Sequence, residues 1–310
     1  MRSAASKREN YLRKRGETRD LEIADERRAN MIVAVPAVNE FENLPIMLAS
    51  LAACEGNVGE TVVVVCVNHT PEADDAIVEN NRASVRWLRE AARGENDVGR
   101  RLARRGLRVG LLDAASEGRE APRKHGGVGL ARKYAIDSSL MLFDERRADR
   151  NAIVSLDADC VVSPNYLAVL NALFDAGDTE AAVVEYEHPV VGAQEEREAI
   201  VCYELYLRYY ETRLRIARSP YAFHTIGSTM ANSERAYYRV GGMNKRKAAE
   251  DFYYLEALAK TGEVKSERKA VVYPSGRPSN RVPFGTGRSI SRRLAGERDE
   301  YRLYAPESWS

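Results

Sequence analysis

The sequence has few of the features that mark secreted, membrane-spanning or nucleic-acid-binding proteins. Its four cysteines lie far apart, without the close spacing of a zinc site or a redox pair, so we expect reduced thiols and a cytoplasmic location. No run of about 18 apolar residues occurs, and the first residues lack the apolar core of a signal peptide. The net charge of +1 provides no general attraction to nucleic acid. We therefore expect no nucleic-acid partner and no transmembrane segment, so that any membrane contact would be peripheral.

What the sequence does contain is an alternation of apolar strand patterns with helical patterns. Strands are predicted over residues 31–38, 61–67, 107–113, 152–157 and 181–187. Helical periodicity separates them, for example over 41–54 and 128–143. Alternating strands and helices predict the α/β class, with a Rossmann-like, mostly parallel sheet covered by helices on both faces.

The second half of the chain contains one long amphipathic pattern, over residues 195–219. Ile200, Tyr203, Leu207, Tyr210 and Leu214 recur at intervals of three or four residues, which predicts a helix. We expect its apolar side to pack on the core. The alternative is an interface with an acceptor, a partner or a membrane surface.

Two aspartates, Asp157 and Asp159, follow the fourth predicted strand. In doubly wound sheets ligands bind beyond the carboxyl ends of the strands, where polar residues also follow the other strands (Asn39, Glu40, Asn68, His69 and Asp113). Neighbouring carboxylates resist ionising together, and a hard divalent cation shared with substrate phosphates removes that conflict. We expect the pair to bind Mn²⁺ or Mg²⁺; the alternative is a turn that caps the helix predicted after Ser163.

Four segments resemble the inverting, nucleotide-sugar-dependent glycosyltransferases of family 2, which have the A-type glycosyltransferase fold. They are VAVPAVNE (33–40), GVGLARKYAID (127–137), LDADC (156–160) and GGMNKRKAAEDFYYLEAL (241–258). Their order and spacing match the family, and the resemblance extends over roughly residues 31–287. It implies a glycosyltransferase domain over 31–290, with a nucleotide-binding half (31–160) and an acceptor-binding half with a mobile loop (161–290). Residues 1–30 are expected to form a charged arm outside the core, and residues 291–310 a C-terminal tail.

The resemblance also implies roles for individual residues. Asp251 would be the general base that deprotonates the acceptor hydroxyl, with Glu250 supporting it. Asp157 would contact the nucleotide or the metal, and Asp159 would bind the metal directly. Further nucleotide contacts are expected from Pro36, Asn39, Glu40, Asn68, Asp113, Arg132 and Arg281. The donor and acceptor side would include His224, Gly227, Ser228 and Gly242, with His224 also considered as a third metal ligand.

The expected activity is metal-dependent transfer of a sugar, of the hexosyltransferase type, from a nucleoside-diphosphate sugar to an acceptor hydroxyl, with inversion. The alternatives are a retaining enzyme, a sugar-phosphate nucleotidyltransferase and a non-catalytic nucleotide-sugar-binding protein. Neither a P-loop nor a complete G-x-G-x-x-G motif occurs, which argues against the nucleotidyltransferase. The turn VCVNHTPE (65–72) replaces the acidic turn usual in the family, so the donor nucleotide is open, as is the acceptor. Arg277, Arg281 and Arg288 lie in a Gly- and Pro-rich segment expected to close over the diphosphate.

Overall fold

The computed structural model describes residues 4–279 and 285–297. The elements in chain order are α1 (Ala4–Arg15), β1 (Glu22–Ile23), β2 (Met31–Ala37), α2 (Leu44–Ala52), β3 (Thr61–Asn68), α3 (Asp75–Ala92), α4 (Asp97–Arg105), β4 (Arg108–Ala114), α5 (Val128–Ser139), β5 (Ala152–Ser155), β6 (Val161–Val162), α6 (Tyr166–Asp175), β7 (Ala181–Tyr186), α7 (Gln194–Ile216), β8 (Met230–Ser233), α8 (Glu234–Arg239), α9 (Glu250–Ala259), β9 (Val264–Tyr273) and α10 (Thr286–Leu294).

Within the described residues the strands form one nine-stranded sheet in the order β1-β4-β3-β2-β5-β8-β7-β9-β6. Strands β4, β3, β2 and β5 are parallel neighbours, and β7 is parallel to β9. Strand β8 runs antiparallel between β5 and β7, and the short edge strands β1 and β6 are also antiparallel to their neighbours. Most paired residues lie in parallel pairs, so the predicted α/β fold with a mostly parallel sheet is confirmed.

Helices cover both faces of this sheet, and strand β2 shows why its sequence is apolar throughout. Met31 and Val33 point to one face, where they join a cluster that contains Leu48 of α2. Ile32 points to the other face and joins a cluster that contains Ile136 of α5. A strand buried on both faces reads as a continuous apolar run rather than as an alternating one.

The N-terminal helix α1 is part of the second face, so the expectation that residues 1–30 lie outside the core is wrong for this helix. The Arg8 side chain is buried, and its Nη2 lies 2.8 Å from Oε1 of Glu234, the first residue of α8. The buried Tyr11 hydroxyl donates to Oδ1 of Asp137 on α5 at 2.9 Å. A charged sequence resembles a solvated arm, but here a buried carboxylate neutralises the arginine. The remaining domain boundaries stay predictions.

The long helix α7 confirms the predicted helical periodicity but not the predicted core packing. Only Ala199 and Ile200 of this helix are buried, and Leu205 and Ile216 are 62% and 64% exposed. The helix is thus anchored near its N-terminus and leaves much apolar surface exposed within the described part of the chain. Among these residues no helix is long and apolar enough to cross a membrane.

Candidate active site

The two acidic motifs meet at a single buried arginine, Arg132 of α5. Its guanidinium donates through Nη2 to Oδ1 of Asp157, which follows β5, at 2.5 Å. Through Nη1 it donates to Oε1 of Glu250, the first residue of α9. Residues far apart in the chain therefore line one site, at the carboxyl end of β5. Arg132, which was expected to contact the nucleotide, thus joins both acidic motifs, and its contact with a nucleotide stays a prediction.

The charge of Arg132 is well stabilised despite its burial. Burial alone would lower the pKa of the guanidinium, but the carboxylates of Asp157, Glu250 and Asp251 outweigh this effect and raise it. A buried cation is tolerated only when paired in this way. Three carboxylates thus surround the positive charge of Arg132.

Two glycines create the space that this arrangement needs. A Cβ atom on Gly227 would lie 2.6 Å from Nη2 of Arg132, so any larger residue would displace the guanidinium. A Cβ atom on Gly129 would lie 2.5 Å from the carbonyl oxygen of Arg246 in the loop before α9. The glycine at 129 therefore permits close packing between α5 and that loop.

Asp251 is the second residue of α9 and is half-buried. The residue that caps the helix, Ala249, has a left-handed backbone with φ of 55°, a conformation that costs a non-glycine residue about 1–2 kcal/mol. Burial, and next the charge of Glu250, raise the pKa of Asp251 to about 7, although Arg132 opposes the shift. A carboxylate with a pKa near neutrality is well suited to act as a general base.

The acidic pair after β5 has the donor set of a divalent-cation site. Ligand atoms of Asp157, Asp159 and Cys160 lie within 4.8 Å of one another. Burial, reinforced by Asp159 and Asp157, raises the pKa of the Cys160 thiol well above its ordinary value, so the thiol is a poor ligand. Two carboxylates fit a hard cation such as Mg²⁺ or Mn²⁺. Cys160 follows Asp159 directly in the sequence and was not among the predicted site residues.

A second arginine, Arg277, already places positive charge at this pair. Its Nη2 lies 3.2 Å from Oδ2 of Asp159 and also contacts Oε1 of Glu40, which is buried after β2. Asn43 holds the other oxygen of Glu40 through a hydrogen bond of 2.6 Å. The Gly- and Pro-rich segment thus reaches the acidic cluster through Arg277. Arg281, which was predicted to contact the nucleotide, lies outside the described residues.

The loops after β2 and β3 are joined by Asn81 of α3, a residue that was not among the predicted site residues. The backbone N–H of Asn39 donates to Oδ1 of Asn81 at 2.8 Å, and Nδ2 of Asn81 donates to the carbonyl of Asn68 at 3.2 Å. Two of the residues predicted to contact the nucleotide lie nearby. Asn39 has a left-handed backbone with φ of 57°. Pro36 lies within β2, beside Cys66 of β3. No pattern in the sequence signals a buried amide on α3.

Asp113 is engaged by its own loop. Its Oδ1 accepts from the N–H groups of Ala115 and Ser116, and its Oδ2 accepts from the Ser116 hydroxyl at 2.7 Å and from Arg89 at 3.3 Å. Burial would raise the pKa of Asp113, but these hydrogen bonds and the charge of Arg89 lower it. The carboxylate closes the turn after β4, and its predicted contact with a nucleotide stays a prediction.

The residues predicted on the donor and acceptor side do not all reach the acidic cluster. His224 has Nε2 at 3.0 Å from the Val184 carbonyl and Nδ1 at 3.5 Å from Glu211, so both ring nitrogens have partners elsewhere. The structure thus gives no support to His224 as a third metal ligand. Gly242, with φ of 82°, lies against the Tyr11 hydroxyl, which a Cβ atom would meet at 1.9 Å. Ser228 is buried in the turn next to Gly227.

Comparison with known proteins yields structural matches only. No protein-family model matches the chain, and no curated protein matches it in sequence. The structure of S. aureus TarS 1–349 in complex with UDP-GlcNAc is 15% identical, with a TM-score of 0.50; the match covers 89% of this chain and 68% of that one. A longer TarS structure matches over 40% of its own length, with 15% identity and a TM-score of 0.46. The mannosyltransferase PcManGT from Pyrobaculum calidifontis, in complex with GDP-Man and Mn²⁺, is 18% identical, with a TM-score of 0.46; the match covers 88% of this chain and 63% of that one.

Likeness at this level of identity concerns the fold. The match to TarS 1–349 extends over most of the chain, and the mostly parallel sheet and the two helical layers agree with the architecture expected from the sequence. The chain therefore has the A-type glycosyltransferase fold.

Proposed function

We propose that the protein is a glycosyltransferase that moves a sugar from a nucleoside-diphosphate sugar to an acceptor hydroxyl, with a divalent metal and with inversion. The observation that supports this most is the placement of Asp157 and Glu250 on the same guanidinium, that of Arg132. This contact brings the acidic pair suited to a metal close to the start of α9, which carries Asp251, the proposed base. Had these motifs lain on opposite sides of the molecule, no such reaction could be built from them.

Asp251 would perform the proton transfer. With its pKa raised to about 7, it is substantially ionised at neutral pH and can accept the proton of an acceptor hydroxyl. The acceptor oxygen then forms a bond to the anomeric carbon as the bond from that carbon to the diphosphate oxygen breaks. A single displacement of this kind inverts the anomeric centre. Glu250, held by Arg132, keeps a negative charge beside Asp251 and so maintains its basicity.

The leaving diphosphate would be accommodated at the acidic pair. Asp157 and Asp159 would hold Mn²⁺ or Mg²⁺, which when bound neutralises charge that builds on the leaving group. Arg277 contacts Asp159 and would supply a guanidinium fork for phosphate oxygens. Asn39 and Asn68, whose backbones Asn81 holds, would contact the nucleotide.

The test is donor hydrolysis and transfer by the purified protein. We would incubate it with UDP-linked sugars, starting from UDP-GlcNAc, and with GDP-linked sugars, each with Mn²⁺ and each with EDTA, and measure release of the nucleoside diphosphate. Release that requires the metal supports the proposal. Pyrophosphate release from a nucleoside triphosphate and a sugar phosphate would instead indicate a nucleotidyltransferase.

Two variants assign the roles within the site. Asp251→Asn should retain nucleotide binding and lose turnover by about 100-fold or more, the range typical of a general base. Asp159→Ala should lose metal-dependent nucleotide binding. Glu256→Gln, on the same helix but ion-paired at the surface with Lys260, is the matched control and should retain activity. Wild-type turnover in Asp251→Asn would contradict the assignment of the base.

The pH dependence gives a separate test of this base. Because the pKa of Asp251 is raised to about 7, kcat/KM should rise with pH and level off above about pH 7. A profile that is flat between about pH 5 and pH 8 would contradict it. The pH profile of kcat/KM is measured with saturating Mn²⁺.

A further inference from the structure

A cavity lies between α1 and α8, away from the acidic cluster. Its volume is about 580 Å³, and Asp149, in the turn before β5, forms part of its wall. Asp157 follows the other end of β5. Strand β8 runs antiparallel to β5, and its last residue, Ser233, pairs with Ala152, the first residue of β5. Helix α8, which follows Ser233, therefore starts at the same end of the strands as this turn. A rise of about 3.3 Å per residue separates the two ends of β5 by about 10 Å, and the cavity is therefore distinct from the proposed active site.

The wall of this cavity is strongly cationic. Its charged side chains are Lys7, Lys14 and Arg15 on α1, Arg235 and Arg239 on α8, and Asp149. Arg235 and Arg239 share one further carboxylate, that of Glu180, at 2.6 and 3.3 Å. Five cations thus face two carboxylates, and three positive charges remain uncompensated.

The uncompensated charges belong to α1. In residues 4–279 and 285–297 no carboxylate forms an ion pair with Lys7, Lys14 or Arg15. Cations gathered around a concave surface produce a stronger local potential than the same cations dispersed over a convex one. The net charge of the whole chain is only +1, so this concentration of charge is local.

The cavity is held open by buried contacts. The ion pair between Arg8 and Glu234 ties α1 to α8. The ring of Tyr11 lies 5.2 Å from that of Tyr238, and both residues line the cavity. The Tyr11 hydroxyl donates to Asp137, which orients the ring. The result is a preformed recess with an aromatic wall and a cationic rim, as binding sites for small molecules commonly have.

We propose that this cavity is a second binding site, for a phosphorylated ligand. Its phosphate would lie among Lys7, Lys14 and Arg15, since guanidinium and ammonium groups are the usual partners of phosphate oxygens. A ring or an apolar portion of the ligand would pack on Tyr11 and Tyr238. The ligand is a soluble phosphate ester or the headgroup of an anionic phospholipid, which share this chemistry. The proposal does not depend on the proposed transferase activity.

Two probes distinguish these sources: inorganic pyrophosphate, measured by titration calorimetry, and phosphatidylcholine vesicles with and without phosphatidylglycerol, measured by cosedimentation. All measurements contain EDTA, which removes metal-dependent binding at the other edge of the sheet. Binding of pyrophosphate indicates a soluble ligand, and binding only to the vesicles with phosphatidylglycerol indicates a headgroup. In either case the combined variant Lys7→Glu, Lys14→Glu should weaken binding about tenfold or more, the effect expected for lost hydrogen bonds to a charged group.

The matched control carries the same charge change on the opposite face of the sheet, as Arg101→Glu with Arg104→Glu on α4. Both arginines are exposed, and this variant should bind like the wild type. Lys7→Gln with Lys14→Gln gives a milder change if the glutamate variant melts at a lower temperature. The proposal is overturned if neither probe binds, if the cavity variants bind like the wild type, or if the α4 control weakens binding equally.

Discussion

The carboxyl group of Asp251 should reduce the stability of the folded protein increasingly as the pH rises. Burial and Glu250 raise its pKa from 3.8 to about 7, so the folded state still holds this proton at pH values where the unfolded chain has released it. For an acid with a raised pKa, stability is greatest below the unfolded pKa and is lost as the pH rises through the folded pKa. Asparagine cannot ionise, so Asp251→Asn should gain stability relative to the wild type as the pH increases.

The size of this gain follows from the two pKa values. At about 1.4 kcal/mol for each pH unit that separates them, the full cost comes to about 4–5 kcal/mol above pH 7. Part of it is already present at about pH 5, where the unfolded carboxyl is ionised. Between about pH 5 and pH 8 the advantage of Asp251→Asn should therefore grow by about 2–3 kcal/mol. If the substitution also weakens hydrogen bonds, the variant loses the same free energy of unfolding at pH 5 and at pH 8. Such a loss leaves the change between the two pH values unaffected.

Urea unfolding of the wild type and of Asp251→Asn, at about pH 5, 6, 7 and 8 in EDTA, measures the effect directly. The free energies of unfolding should diverge in favour of the variant as the pH rises. Glu256→Gln, which removes a surface ion pair with Lys260 on the same helix, should stay within about 0.5 kcal/mol of the wild type. A difference that is constant between pH 5 and pH 8, or that narrows, would refute the burial of an ionisable base at this position.

Three further predictions concern the charges at the candidate active site. Arg132→Met should lower the free energy of unfolding by about 3–5 kcal/mol, because the buried Glu250 and its neighbours lose their cation. A loss of less than about 1 kcal/mol in urea unfolding would contradict the view that Arg132 neutralises these carboxylates. Gly227→Ala should lower the free energy of unfolding by about 1–3 kcal/mol in the same measurement, because the added Cβ would lie 2.6 Å from Nη2 of Arg132. Unchanged stability would mean that the guanidinium can move aside. Arg277→Ala should tighten the binding of Mn²⁺ several-fold in the absence of a nucleotide sugar, because Asp159 then loses its competing cation. The size corresponds to about one partly exposed hydrogen bond to a charged group. Weaker Mn²⁺ binding in calorimetry would show that Arg277 does not compete with the metal.

Much of the fold was predictable because it is encoded in short stretches of sequence. The predicted strand over 61–67 is observed at Thr61–Asn68, and that over 181–187 at Ala181–Tyr186. A continuous apolar run bounded by polar residues is a local signal, and burial on both faces accounts for it. The antiparallel strand β8 was not predicted, because MANS is too short and too weakly apolar to indicate a strand.

The candidate site was predictable in its residue types but not in its connections. Asp157, Asp159, Glu250 and Asp251 were identified from their spacing and from the family resemblance. That Arg132 contacts both motifs depends on the approach of α5 to α9, which no local pattern contains. The role of Asn81 is likewise set by two loops that meet only in the folded chain.

The sequence by itself determined five strands of the sheet, β2, β3, β4, β5 and β7, and the carboxylates that stand at their ends. Periodicity and burial along one element are local properties, which is why these could be predicted. Only the tertiary structure decided that α1 packs against the core, that much of α7 does not, and that one guanidinium joins the two acidic motifs. Each of these features depends on contacts between residues that are distant in the chain. A charged side chain such as Arg8 or Arg132 can be buried only when another element supplies its partner.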